Sequence, residues 1–182
     1  AAAFLPRGKT QVVGYPVRDE FWSLDREEAR RRLGLPPDEP VLLVYGGSLG
    51  AHAINEALFS QLPRLVERSV VVHVTGQADE ALAEQARERL PEGLRERYRP
   101  VAYLRDLPAA MKAADLAVTR AGAAVLGELP AAGLPAILVP GVFEGHDQTP
   151  NAQYLASTGA AVVLPQARLA ELAEHALALL DD

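Results

Sequence analysis

The chain has 182 residues, 49% of them hydrophobic, with a net charge of −6 and no cysteine. That length suits one compact domain with a sizeable core, and the acidic balance offers no basic stripe to neutralise nucleic-acid phosphates. The missing thiols exclude disulfides and thiolate metal sites, and no apolar run approaches the roughly 18–20 residues of a membrane-spanning helix.

Ala1 to Arg18 lack the charged-then-apolar order of a signal peptide, and the abrupt Ala-rich opening reads as the start of a piece of something longer. Arg26–Leu33 is the first expected helix, with Asp25 as its cap, Glu28 at the third helical position and Gly34 as its stop. Apolar runs of strand length then alternate with segments of helical period. Val41–Tyr45 precedes a helix from His52 to Arg68, and Val70–Thr75 precedes one over Ala78–Leu90. Val101–Leu104 leads to a short helix at Pro108–Ala114, and Leu116–Thr119 to one at Ala123–Ala132. Ala136–Val139 is followed by a loop, Pro140–Pro150, and a helix at Asn151–Ser157. Ala160–Leu164 and a helix at Leu169–Leu180 close the chain. Near-continuous Val/Leu/Ile strands alternating with helices predict an α/β, Rossmann-like three-layer domain with a parallel sheet of about six strands.

Tyr45-Gly46-Gly47-Ser48-Leu49-Gly50-Ala51 links the first strong strand to a helix. Glycines there permit a tight turn and close approach, and the helix start offers N–H groups to an anion, with the Ser48 hydroxyl as an extra donor. The spacing fits neither the phosphate-loop nor the dinucleotide fingerprint, so a plain strand-to-helix turn stays open. A second turn, Thr119-Arg120-Ala121-Gly122-Ala123, opens the helix that carries Glu128. That carboxylate could accept hydrogen bonds from the vicinal hydroxyls of a ribose or simply face solvent. Arg120 could likewise face a phosphate or hold the strand end. The polar loop carries Glu144, His146, Asp147 and Gln148, with Asn151 just beyond. A single histidine with two carboxylates is a poor metal set. His52, His73 and His175 are scattered and read as structural.

Taken in order, five segments resemble the MurG family. They are Gly14-Tyr15-Pro16-Val17-Arg18; Gly46-Gly47-Ser48-Leu49-Gly50-Ala51; Arg120-Ala121-Gly122-Ala123 with Glu128-Leu129; Ala131 to Pro140; and Gln148-Thr149-Pro150-Asn151-Ala152. The family transfers N-acetylglucosamine from UDP-GlcNAc to a lipid-linked muramoyl-pentapeptide, converting lipid I to lipid II in peptidoglycan synthesis. The resemblance implies that residues 1–182 form the donor-binding, carboxyl-terminal half of a two-domain GT-B glycosyltransferase, with the acceptor domain and the catalytic base outside this chain. It implies further that Arg18 and the loop with Gly47, Ser48 and Gly50 lie near diphosphate and sugar. The Leu104 backbone would read the uracil, Arg120 and Gly122 would line the second turn, Glu128 would bind the ribose, and Gln148 and Asn151 would lie near GlcNAc hydroxyls. No metal or cofactor is implied. The partners are UDP-GlcNAc or UDP and the lipid-linked acceptor, with no nucleic acid. The implied location is cytoplasmic, peripheral on the inner face of the bacterial plasma membrane.

Three positions depart from the family pattern: Tyr15 for the usual Asn, Val125 for Thr, and His146-Asp147-Gln148 for Asp-His-Gln. Another GT-B sugar-nucleotide enzyme, such as a glycolipid glycosyltransferase or a UDP-GlcNAc 2-epimerase, and a non-catalytic subunit of a split transferase remain the alternatives.

Overall fold

The computed structural model describes residues 8–11, 13–46, 51–143 and 146–182. Its elements run α1 (Glu20–Ser23), α2 (Arg26–Arg32), β1 (Val41–Tyr45), α3 (His52–Val66), β2 (Val70–Val74), α4 (Glu80–Glu88), β3 (Tyr98–Val101), α5 (Leu107–Ala113) and β4 (Leu116–Thr119). They continue α6 (Val125–Ala132), β5 (Ala136–Leu138), β6 (Val142–Phe143), β7 (His146–Asp147), α7 (Thr149–Ser157), β8 (Ala161–Val163) and α8 (Leu172–Leu180). The main sheet has six parallel strands in the order β3-β2-β1-β4-β5-β8. The expected fold class and strand number are both borne out.

Alternate residues of each strand feed two cores, one on each face of the sheet. Leu43, Tyr45, Ala117 and Leu138 pack with Met111 of α5 and Leu129 of α6. Leu42, Val44, Val118 and Ile137 pack against Ile54, Leu58, Leu62 and Leu65, the buried stripe of α3. That stripe recurs every three or four residues, the helical repeat, and each fully buried Leu contributes about 1.5–3 kcal/mol. Asp25 caps α2 as expected, accepting from the Glu28 N–H at 2.8 Å. Glu28 does not complete the capping box, because its carboxylate turns to Arg31 and Arg32 instead.

Several boundaries differ from expectation, each for a physical reason. The third strand is Tyr98–Val101 rather than Val101–Leu104. It is the edge strand, where Pro100 is tolerated because one side of the strand has no ladder to supply. Ala102–Asp106 is therefore loop. The segment Pro140–Pro150 is not all loop: β6 and β7 pair antiparallel within it. α7 starts at Thr149 with Pro150 in its first turn, where a missing N–H costs nothing. α6 starts at Val125 rather than Ala123, so Glu128 sits in its first turn.

Candidate functional site

The strand order reverses its direction of growth between β1 and β4, and in open α/β sheets the carboxyl ends of such strands frame a binding crevice. Tyr45 and Thr119 end these two strands as register partners. Beyond them opens a cavity of about 770 Å³, whose walls include Gly46, Ala51, His52, Leu104, Thr119, Arg120, Gly122, Glu128 and Gln148, with Arg18 reaching it from the amino-terminal segment.

Two helix starts face this space. Among the described residues no side chain caps α3 or α6. The Val125, Leu126 and Gly127 N–H groups of α6 are taken by the carbonyls of Gly122, Ala123 and Ala124, so the N–H groups left without a partner among the described residues, and able to serve an anion, are those of His52 and Ala53 at α3 and of Ala123 and Ala124 just before α6. Gly47, Ser48 and Gly50 of the first glycine turn lie outside the described residues, as does Glu144 in the polar loop.

Glu128 is half-buried on the cavity wall. Burial raises its carboxyl above the ordinary value, and the charge of Arg18 partly offsets this. The group is thus drawn from water without a hydrogen bond among the described residues, a state suited to accepting from a ligand's hydroxyls. Arg120 is also half-buried, and burial lowers its pKa. Its one hydrogen bond among the described residues is a long 3.4 Å contact to the Val139 carbonyl. Leu104 lies in the loop after β3, and its backbone N–H and C=O make no hydrogen bond among the described residues. The strand ends at Val101, three residues before Leu104, so no strand ladder engages the Leu104 backbone.

Gln148 lies on the cavity wall, held by an Oε1 that accepts from the Gly141 N–H at 2.9 Å. Its amide nitrogen stands close to Gly122, 4.0 Å from where a β-carbon would be. Asn151 is set back from the wall and donates to the Ala121 carbonyl at 2.9 Å, so it braces the second glycine turn. Asp147 is exposed and accepts from the Thr149 N–H at 2.8 Å. The Thr149 side chain, and then its N–H, hold the Asp147 carboxyl below the usual range and tie it to the start of α7. Among the described residues no group of three metal-ligating side chains forms.

Sequence reasoning missed two residues. Tyr45 was read as an apolar strand end, yet it buries a hydroxyl beside the Thr119 side chain, and both residues line the cavity. His52 was read as structural, yet it lies on the wall. The departure at Tyr15 is also explained: its side chain lies over Gly127, where a β-carbon would come within 2.9 Å of the Tyr15 Cβ. Glycine at 127 thus permits the amino-terminal segment to lie against α6 and carry Arg18 to the cavity.

The sheet order and the switch-point cavity define a Rossmann-like α/β class of domain with a crevice at the carboxyl ends of its central strands. More narrowly, residues 41–182 match the glycosyltransferase family 28 C-terminal domain, and the chain belongs to that family. It is 44% identical over 179 residues to the UDP-N-acetylglucosamine--N-acetylmuramyl-(pentapeptide) pyrophosphoryl-undecaprenol N-acetylglucosamine transferase of Roseiflexus sp. (strain RS-1), covering 90% of this chain and 40% of that protein. The Nitratidesulfovibrio vulgaris protein of the same name is 45% identical over 166 residues, covering 90% of this chain and 44% of the relative. The chain therefore spans less than half the length of these curated relatives. The crystal structure of Acinetobacter baumannii MurG superposes with a TM-score of 0.72 at 28% identity, over 96% of this chain and 50% of that one. WaaG, a glycosyltransferase involved in lipopolysaccharide biosynthesis, shares the fold at a TM-score of 0.60 and 24% identity, over 94% of this chain and 47% of that one. The family resemblance drawn from the five segments and the GT-B fold are both borne out.

Proposed function

We propose that this chain is the donor half of an inverting N-acetylglucosaminyltransferase that takes UDP-GlcNAc and converts lipid I to lipid II. The observation that carries the reading is the convergence on one cavity of four complementary groups: free backbone at Leu104, the withdrawn carboxylate of Glu128, Arg18, and two uncapped helix starts. Leu104 N–H and C=O match the edge of a uracil, and Glu128 matches the ribose diol. The helix starts with Arg18 and Arg120 match the diphosphate, and Gln148 lies where a sugar hydroxyl would extend.

In the reaction an acceptor hydroxyl oxygen bonds to the anomeric carbon as the bond from that carbon to the diphosphate oxygen breaks. The electron pair leaves on UDP, and the acceptor's proton passes to a base in the acceptor domain. Charge grows on the departing diphosphate, so preorganised N–H groups and arginines lower the barrier without rearranging. The reading calls for no cofactor. It makes this chain a donor-binding unit without turnover of its own, and places the whole enzyme at the inner face of the plasma membrane. No helix among the described residues is long and apolar enough to cross a membrane, so such placement would be peripheral.

Calorimetric titration with UDP tests the reading, with micromolar to millimolar affinity expected. Glu128→Ala should weaken UDP more than it weakens 2′-deoxy-UDP. Equal losses would remove the ribose role, and folded protein that binds no UDP would remove the donor site itself.

A further inference from the structure

One polar chain runs from the cavity wall into the core. His52 Nδ1 lies 2.9 and 3.0 Å from the two Asp79 oxygens. Asn55 donates its amide to Asp79 at 2.7 Å and to the Thr75 carbonyl at 2.8 Å. Its oxygen is thereby left to accept from His73 Nε2, 2.9 Å away. That fixes the His73 tautomer, so Nδ1 accepts from the Tyr98 hydroxyl at 2.8 Å. Asn55 and His73 are fully buried, and Asp79 nearly so. At the outer end His52 is largely exposed, and its Nε2 pairs with the exposed Glu56 carboxylate at 3.5 Å, a partner that a bound diphosphate would replace. His52 opens α3, whose N-terminal dipole disfavours a cation. Asp79 overrides that preference, by hydrogen bond and then by charge, and with Glu56 raises the imidazole above its ordinary pKa. Asp79 and Glu56 are the charges that bear on it directly, while Arg18, Arg105, Arg120 and Glu128 lie elsewhere around the cavity.

We propose that His52 is a donor-binding residue, an imidazolium anchored through Nδ1 by Asp79 that presents Nε2–H to the diphosphate of a nucleotide sugar. This rests on the donor-site reading above. The buried chain behind it acts by positioning: Asp79, held by Asn55, gives the ring one orientation, so a side chain at a helix start meets the ligand with little entropy left to lose. The contact joins the N–H groups of α3 to a titratable positive charge that responds to pH. Arginines cannot supply that response.

UDP-GlcNAc is the suitable probe, because its doubly esterified diphosphate does not titrate near neutrality, whereas the terminal phosphate of UDP does. The chain should bind it less tightly as pH rises from about 6 to 9, as His52 loses its proton. His52→Gln should bind about fivefold to tenfold more weakly at the acid end, with a flat pH profile. His52→Arg should recover affinity and stay flat. Asp79→Asn should move the wild-type slope to lower pH, followed through the His52 ring resonance by NMR. A His52→Gln chain that binds as tightly as wild type with the same slope overturns the inference and leaves the donor site standing. Wild-type chain that binds no UDP-GlcNAc overturns both.

Discussion

Burial of His73 gives the fold a built-in sensitivity to acid. The ring is fully buried between Asn55 and Tyr98, and burial pushes its pKa down from 6.5 to about 3, with only partial opposition from the charge of Asp79. A base with a depressed folded-state value binds protons in the unfolded chain first, so stability falls as pH drops below about 6.5. At pH 5 the unfolded chain has gained about 1.5 units of protonation advantage at 1.36 kcal/mol each, or about 2 kcal/mol. Urea unfolding of wild type and His73→Gln at pH 7.5 and pH 5 measures this directly. Wild type should lose about 2 kcal/mol more than the variant over that interval. The other titrating groups change alike in both proteins and cancel. His52, whose raised value makes protonation stabilising, pulls the other way in both. An equal loss in the two proteins would refute the claim that His73 is held neutral.

Two further substitutions test the frame around the site. Arg30 is buried and joins Asp115 at 2.7 Å, the Ala113 carbonyl at 3.0 Å and the Pro36 carbonyl at 2.9 Å. Arg30→Met should cost about 1–3 kcal/mol by chemical denaturation, because the Ala113 and Pro36 carbonyls lose their donor while Asp115 keeps Arg26 and the Val41 N–H; a loss within experimental error would contradict this account. Gly127→Ala would gain about 1 kcal/mol from helix propensity alone. The new methyl meets the Tyr15 Cβ and should displace residues 15–18, giving a net loss of about 1–3 kcal/mol and weaker UDP binding. Adding Tyr15→Gly should restore both, and a stabilised single variant would show that the segment does not lie against α6.

Much of this was legible in the chain itself, and the exceptions share a cause. β1 and β4 were legible to the residue because both are buried strands whose side chains are apolar almost throughout. β3 was displaced because Arg99 and Pro100 disguise an edge strand whose Tyr98 points a hydroxyl into the core. Glu128 and Arg18 lie in two of the five segments that carry the family resemblance, Leu104 followed from that resemblance alone, and all three line the cavity. His52 could not be named from the sequence, for its partner Asp79 is twenty-seven residues away and only the fold brings them together. Tyr45 was hidden by its own burial, as a polar atom on an otherwise apolar strand. Asn151 was legible as a polar residue just past the polar loop, but only the fold brings its amide behind the second glycine turn, which it braces.

The pairing of β1 with β4 also bears on how the site comes into being. Asp115, just before β4, accepts from the Val41 N–H at the start of β1, and these residues are seventy-four apart in sequence. The segment between them supplies α3, β2, α4, β3 and α5. Closing so long a loop is slow compared with forming local helices. The cavity at the ends of β1 and β4 should therefore form only once these distant strands have paired, so a ligand held there would report that pairing.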